Sequence, residues 1–154
     1  SVMYGAANNN IEIIKTLAEY NANFTPSEPG QDCALFLTIE NNNRDAFLEV
    51  LRGGANIYYK GLGNMTPLMY SAYKNAAQLI PLILKTEVAV DEHNPKDYFR
   101  TALMYAAGLG NKDCVRALLD GDASKDEKDS EGNTAYDYAV AGGFTEVAAL
   151  LKMP

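Results

Sequence analysis

Apolar residues cluster one helical turn apart along the chain: Ile13, Ile14 and Leu17; Phe47, Val50 and Leu51; Leu79, Ile80, Ile83 and Leu84; Cys114, Val115, Leu118 and Leu119; Val147, Leu150 and Leu151. This 3.6-residue spacing predicts short amphipathic helices, each with a buried stripe. The polar residues between them (Glu12, Lys15, Asp45, Glu49, Lys112, Arg116, Glu146) form a solvated face. Ahead of these clusters lies a second, more uniformly apolar segment of helical length. Gly- and polar-rich linkers follow them at Asn21–Asp32, Gly53–Met65, Glu87–Arg100 and Gly121–Asn133. Each linker is long enough for a hairpin-like excursion and too short for another helix pair.

The more apolar segments repeat. Thr66-Pro67-Leu68-Met69-Tyr70-Ser71-Ala72 returns 35 residues on as Thr101-Ala102-Leu103-Met104-Tyr105-Ala106-Ala107, and 33 residues after that as Thr134-Ala135-Tyr136-Asp137-Tyr138-Ala139-Val140. Stepping back 33 residues from Thr66 lands on Cys33-Ala34-Leu35-Phe36-Leu37-Thr38-Ile39, and Val2-Met3-Tyr4-Gly5-Ala6 is a truncated copy. A fixed period in this range means one supersecondary unit used several times. Five units result: residues 1–32, 33–65, 66–100, 101–133 and 134–154. The Thr hydroxyl is a natural N-cap, and Pro67 stands at the favoured first helical position. Asn42, Asn75, Gly110 and Gly143 close the first helices, being residues that tolerate the left-handed conformation of a helix end. A single helix pair cannot bury its stripe, so the expectation is an all-α fold, an α-solenoid of stacked helix pairs joined by hairpin linkers, in one domain over residues 1–154.

Composition narrows the function classes. The chain has 154 residues, 47% hydrophobic and 21% charged, which fits a globular protein. A net charge of −7 disfavours binding to phosphate backbones, so no nucleic-acid partner is expected. The longest apolar stretch, Leu79–Leu84, is interrupted by Pro81 and too short to span a bilayer, so no membrane partner is expected either. Two cysteines without framework spacing, Cys33 and Cys114, fit a reducing, cytoplasmic setting and read as small buried hydrophobes.

These segments resemble the ankyrin repeat family along essentially the whole chain, best over Thr101–Leu119 with Gly132-Asn133-Thr134 as the turn before the next unit. The family's usual His is absent. Met3, Phe36, Met69, Met104 and Asp137 occupy its place, so the local Thr–His hydrogen bond is expected to give way to packing or to nothing. Tyr4, Tyr70, Tyr105 and Tyr138 recur at the next position, where they are expected to pack between units. Pro81 should kink or delay its helix, and the two extra residues of the third unit lie around Val90–Tyr98.

Catalysis finds little footing. The one histidine, His93, sits in a polar linker, and both cysteines occupy core positions. The acidic stretch Asp120–Glu131 has the spacing of a calcium loop, but Lys125 stands where the sharp turn needs Gly and Glu127 where an apolar residue belongs. No enzyme activity, metal or cofactor is expected.

The resemblance implies protein–protein recognition on the concave side of the array. By register the exposed positions are Tyr59, Leu62, Met65, Tyr73 and Lys74 for the third unit, and Tyr98, Arg100 and Leu109 for the fourth. The outer units offer Ala7, Asn8, Asp32, Glu40, Asn41, Glu131, Asn133, Ala141 and Gly142 instead. Aromatic, apolar and Arg residues are enriched at binding hot spots, so the middle of the array is the expected partner site. The competing expectation is that Tyr59 and Tyr98 fold back on their own hairpins. An alternative function is a regulatory or targeting segment of a larger enzyme such as a protein kinase. The first unit starts with no polar cap, so the chain is expected to be monomeric or weakly self-associating end to end.

Overall fold

The computed structural model describes residues 2–20, 22–25 and 33–154. Among them are ten α-helices, one 3-10 turn and no regular strand. The residues group into two compact units, Ser1–Pro67 and Leu68–Pro154. The linker candidate Asp32 lies outside the described residues.

The first unit holds α1 (Val2–Ala7), α2 (Ile11–Glu19), α3 (Ala34–Glu40) and α4 (Arg44–Arg52). Helix α1 packs on α2 and α3, and α4 packs on α2 and α3. Ile14 of α2, Leu35 and Ile39 of α3, and Phe47 and Val50 of α4 are fully buried, as their spacing requires. Each pair turns through a left-handed Asn: Asn9 at φ 54° and Asn42 at φ 49°. The following Asn caps the second helix. Asn10 Oδ1 accepts from Ile13 N–H at 3.1 Å and Asn43 Oδ1 from Ala46 N–H at 3.0 Å. Asn41 Nδ2 ties the pairs together by donating to the carbonyls of Ala6 and Ala7 at 3.1 and 3.2 Å.

The second unit holds α5 (Pro67–Tyr73), α6 (Ile80–Leu84), α7 (Ala102–Gly108), α8 (Lys112–Asp120), α9 (Ala135–Ala141) and α10 (Thr145–Lys152). Helix α7 packs against α8 and α9, α8 against α6 and α10, and α9 against α10. Residues Ala102 to Ala107 are all buried, so α7 is the central element of this unit. Pro67 opens α5, as expected. Pro81 delays rather than kinks its helix: α6 has 5 residues against 9 for α8 and starts one residue before the proline. Asn75, Gly110 and Gly143 take φ of 58°, 69° and 74° at the turns.

Two expectations about the Thr-led helices are corrected. The Thr caps do not lose their reciprocal partner when His is absent. Thr134 N–H and Oγ1–H both donate to Asp137 Oδ2, at 2.8 and 2.9 Å, and Asp137 N–H donates back to Thr134 Oγ1 at 3.4 Å. At Thr101 the Met104 sulfur accepts from the Thr101 N–H at 3.4 Å, while Met104 N–H donates to Thr101 Oγ1. Carboxylate and thioether thus do the histidine's work, because both place an acceptor three residues into the helix. The recurring tyrosines are not uniform packing elements either. Tyr4 is 61% exposed, whereas Tyr105 is 5% exposed with its hydroxyl hydrogen-bonded.

Among the described residues, three linkers form hairpin-like turns, each with a backbone hydrogen bond across it: Gly61 N–H to Met65 O at 3.0 Å, Asn94 N–H to Arg100 O at 2.9 Å, and Asp129 N–H to Asn133 O at 2.9 Å.

Candidate functional site

In the second unit the hairpins are fixed to the helices by tyrosine hydroxyls. Tyr105 on α7 donates to Asp97 Oδ2 at 2.7 Å and accepts from Asn94 Nδ2 at 3.0 Å. One repeat on, Tyr138 on α9 donates to Asp129 Oδ2 at 2.5 Å. Asn94 and Asp129 hold corresponding places at the start of their hairpins, and both are buried. Arg100 joins the two turns. Its Nε donates to the Tyr138 hydroxyl at 2.8 Å, and Nη1 lies 3.5 Å from Asp97 Oδ2. The guanidinium also lies over the rings of Tyr138 and Tyr98, at 4.9 and 5.4 Å from their centroids.

The ionisation of these groups follows from their partners. Burial, then the bond to Asp97, pushes the Tyr105 phenol well above its ordinary range. Burial and Asp129 push Tyr138 in the same direction. For Asp129, desolvation acts upward but is outweighed by hydrogen bonds from Tyr138 and from the N–H groups of Asn133 and Glu131, which hold it to about 2. Tyr105 and Tyr138 therefore stay neutral donors, and Asp129 stays an ionised acceptor, across the physiological range.

Above this network lies an exposed surface. Tyr73 at the end of α5 is 44% exposed and meets the Tyr105 ring edge-on at 6.4 Å. Tyr70 stacks on Tyr73, and Lys74 Nζ lies 5.5 and 5.8 Å from the two ring centroids. Leu109, one turn beyond Tyr105, is 46% exposed, and Tyr98 is 55% exposed. A continuous run of contacts, Tyr73–Tyr105–Asp97–Arg100–Tyr98, links three of the five candidates of this unit, and Lys74, a fourth, lies beside its first member. Leu109, the residue that caps α7, follows Tyr105 by four positions.

The three candidates of the first unit fare differently. Leu62, in the 3-10 turn Leu62–Asn64, is 62% exposed, and Met65 is half-buried. Tyr59 is the correction: expected at the surface, it is 9% exposed and packs edge-on against Phe36 at 6.2 Å. The cause is local. A Cβ at Gly61 would fall 2.7 Å from the Phe36 ring, so only Gly lets the hairpin close over Phe36 with Tyr59 beneath it.

Sequence reasoning missed Phe99, which is 48% exposed beside Tyr98. The signal was present: two aromatics adjoin in the one linker with two extra residues. The other chemistry candidates lie in structural roles. His93 pairs with Glu127 at 3.3 Å, linking two linkers. Cys33 and Cys114 are buried and form no disulfide, and burial pushes Cys114 up to about 12. In the stretch 120–131, Asp129 serves Tyr138, and Ser124 N–H donates to Asp91 at 2.9 Å. Among the described residues, no cluster of three or more His, Cys, Asp and Glu could hold a metal ion. No helix among them is long and apolar enough to cross a membrane.

Comparison with known proteins agrees with this architecture. Residues 68–153 match the family model for ankyrin repeats, in three copies. The chain is 27% identical over 124 residues to the ankyrin repeat and KH domain-containing protein mask-1 of Caenorhabditis elegans, covering 80% of this chain and 5% of that protein. It is 26% identical over 128 residues to dauer abnormal formation protein 25 of the same nematode, covering 83% of this chain and 33% of that protein. An ankyrin repeat protein of fowlpox virus is 24% identical over 142 residues, 91% of this chain and 97% of the viral protein. The chain thus spans a small part of the two nematode relatives and nearly the whole of the viral one.

Proposed function

The chain belongs to the ankyrin repeat family, whose repeats generally mediate protein–protein interaction, and we propose that it is a non-enzymatic scaffold holding a partner protein on its concave face. The observation that carries this reading is the exposed row of Tyr73, Lys74, Tyr98 and Leu109 with half-buried Arg100, held in place by Tyr105 and Tyr138. Rigid aromatic and Arg side chains on a preorganised base lose little conformational freedom on binding. Leu62 and Met65 of the first unit are further contact candidates by register, and Tyr59 drops out because it is buried. Two buried thiols that form no disulfide fit a reducing compartment, and a cytoplasmic location is part of this proposal.

A second reading is favoured by the relatives. The matched stretch is 5% and 33% of the two nematode proteins, which makes a targeting or regulatory module inside a longer protein the alternative. Both readings are tested by recovering the partner on immobilised chain, then titrating it, purified, against wild type and Tyr73→Ala. A loss of about tenfold or more supports the assigned surface. Equal affinities would remove it.

A further inference from the structure

The Asn94–Arg100 turn is strained in its second half. Five residues lie inside it, against three in its counterpart Asp129–Asn133. It is closed by Tyr98 and Phe99 in the left-handed region, at φ 50° and 57°. Among the described residues, the other non-glycine positions with positive φ are Asn9, Asn42, Asn64, Asn75 and Asp122. Asn and Asp tolerate that conformation; two consecutive bulky aromatics there are outliers. Burial of the rings does not hold them in it, since they are 55% and 48% exposed. Such a conformation persists only where surrounding contacts impose it.

The contacts come from two sides. The first half of the turn is held by its own repeat, where Asn94 and Asp97 both bond to the Tyr105 hydroxyl on α7. The strained half is held by the next repeat. Ser130 N–H donates to the Tyr98 carbonyl at 2.8 Å. Arg100, directly after Phe99, donates from Nε to the Tyr138 hydroxyl at 2.8 Å and lies 4.9 Å from the centre of that ring. The helix pair carrying Tyr138 is lightly anchored. Its buried residues are Ala135 and Ala139 of α9 and Val147 and Leu151 of α10, whereas every residue from Ala102 to Ala107 of α7 is buried. Elements that bury few apolar groups are the ones that open locally.

We propose that Arg100 and the Ser130–Tyr98 bond form a two-state latch. In one state α9–α10 is docked and Tyr98–Phe99 is held left-handed. In the other α9–α10 is released and the turn relaxes, because nothing then opposes the strain. The latch stands without the protein-binding reading. Its consequence for that reading is that Tyr98 and Arg100 keep their places in the row only in the latched state.

Hydrogen exchange of the full chain, followed by NMR at low denaturant, tests the latch. The N–H groups of Phe99, Ser130, Tyr138 and Ala148 are all hydrogen-bonded. They should open together, with one opening free energy and one denaturant dependence, below that of the Tyr105 N–H in α7. Arg100→Met leaves Tyr138 bonded to Asp129 and Asp97 bonded to Tyr105, so the fold is retained. It should speed exchange at all four sites by the same factor, about tenfold or more, as expected for losing one charge-assisted hydrogen bond. Phe99→Gly removes strain that exists only in the latched state. It should therefore slow exchange at Tyr138 and Ala148, in other helices, by about fivefold. A turn that stayed strained after α9–α10 opened would leave those two sites at wild-type rates in Phe99→Gly, and that result overturns the proposal. So does a Phe99 N–H that opens independently of Ser130 and Tyr138, or an Arg100→Met effect that differs between the turn and α9. None of these outcomes depends on a partner, so the latch and the protein-binding reading fail separately.

Discussion

At the scale of single residues, the functional surface depends on polar groups beneath it. Asp129 accepts from the Tyr138 hydroxyl and from two backbone N–H groups while 6% exposed. Its replacement by Ala strands those donors and should cost about 2–4 kcal/mol in denaturant unfolding at pH 7. The pH dependence has a definite sign. The folded-state pKa is lowered to about 2. The stabilisation is therefore fully present above the unfolded value near 4, and lost as pH falls through about 2. Wild type should lose this part of its stability between those limits, and Asp129→Ala should show none of that loss. The Thr134–Asp137 cap gives a second expectation: Asp137→Ala lowers stability by about 1 kcal/mol, read the same way. The Thr caps were legible from the hydroxyl that opens each segment, but their reciprocal partners Met104 and Asp137 were not. The tyrosine network was not, because Arg100 and Tyr138 are 38 residues apart and nothing local announces the contact.

Among elements, the helix pairs and the Asn and Gly residues that close them were legible, and the exposure of the hairpin aromatics was not. Apolar spacing identifies α2, α4, α8 and α10, and the recurring Thr-led segment identifies α3, α5, α7 and α9, because burial of one face fixes both period and register. Pro81 signalled a disturbed helix, and α6 is the short one. Which hairpin carries exposed aromatics could not be read from composition. Tyr59 and Tyr98 look alike in sequence. Gly61 lets one hairpin close over Phe36, while two extra residues push the other outward. The strained turn yields its own prediction. Phe99→Gly removes a Cβ from a left-handed position and should raise unfolding stability by about 1 kcal/mol. Unchanged or lowered stability would mean that the ring supports the fold.

At the scale of the whole molecule, the buried scaffold and the exposed surface have different jobs. Each compact unit encloses one cysteine, Cys33 at 2% exposure and Cys114 at 0%. An aromatic disulfide reagent should leave both unmodified in the native protein and label both in denaturant. Because each thiol reports its own unit, following the two labelling rates shows whether the units open together or separately. Scaffold changes such as Leu103→Ala, in a fully packed helix, should cost about 2–5 kcal/mol. Changes at Tyr73, Lys74 and Leu109 on the exposed row should leave stability nearly untouched. The central claim is that the exposed side chains of this row carry binding. Its most direct test is a titration of purified partner against Tyr73→Ala/Leu109→Ala, with the unfolding midpoint measured on the same sample. The account predicts an affinity at least about tenfold weaker at an unchanged midpoint. Wild-type affinity at an unchanged midpoint would contradict it.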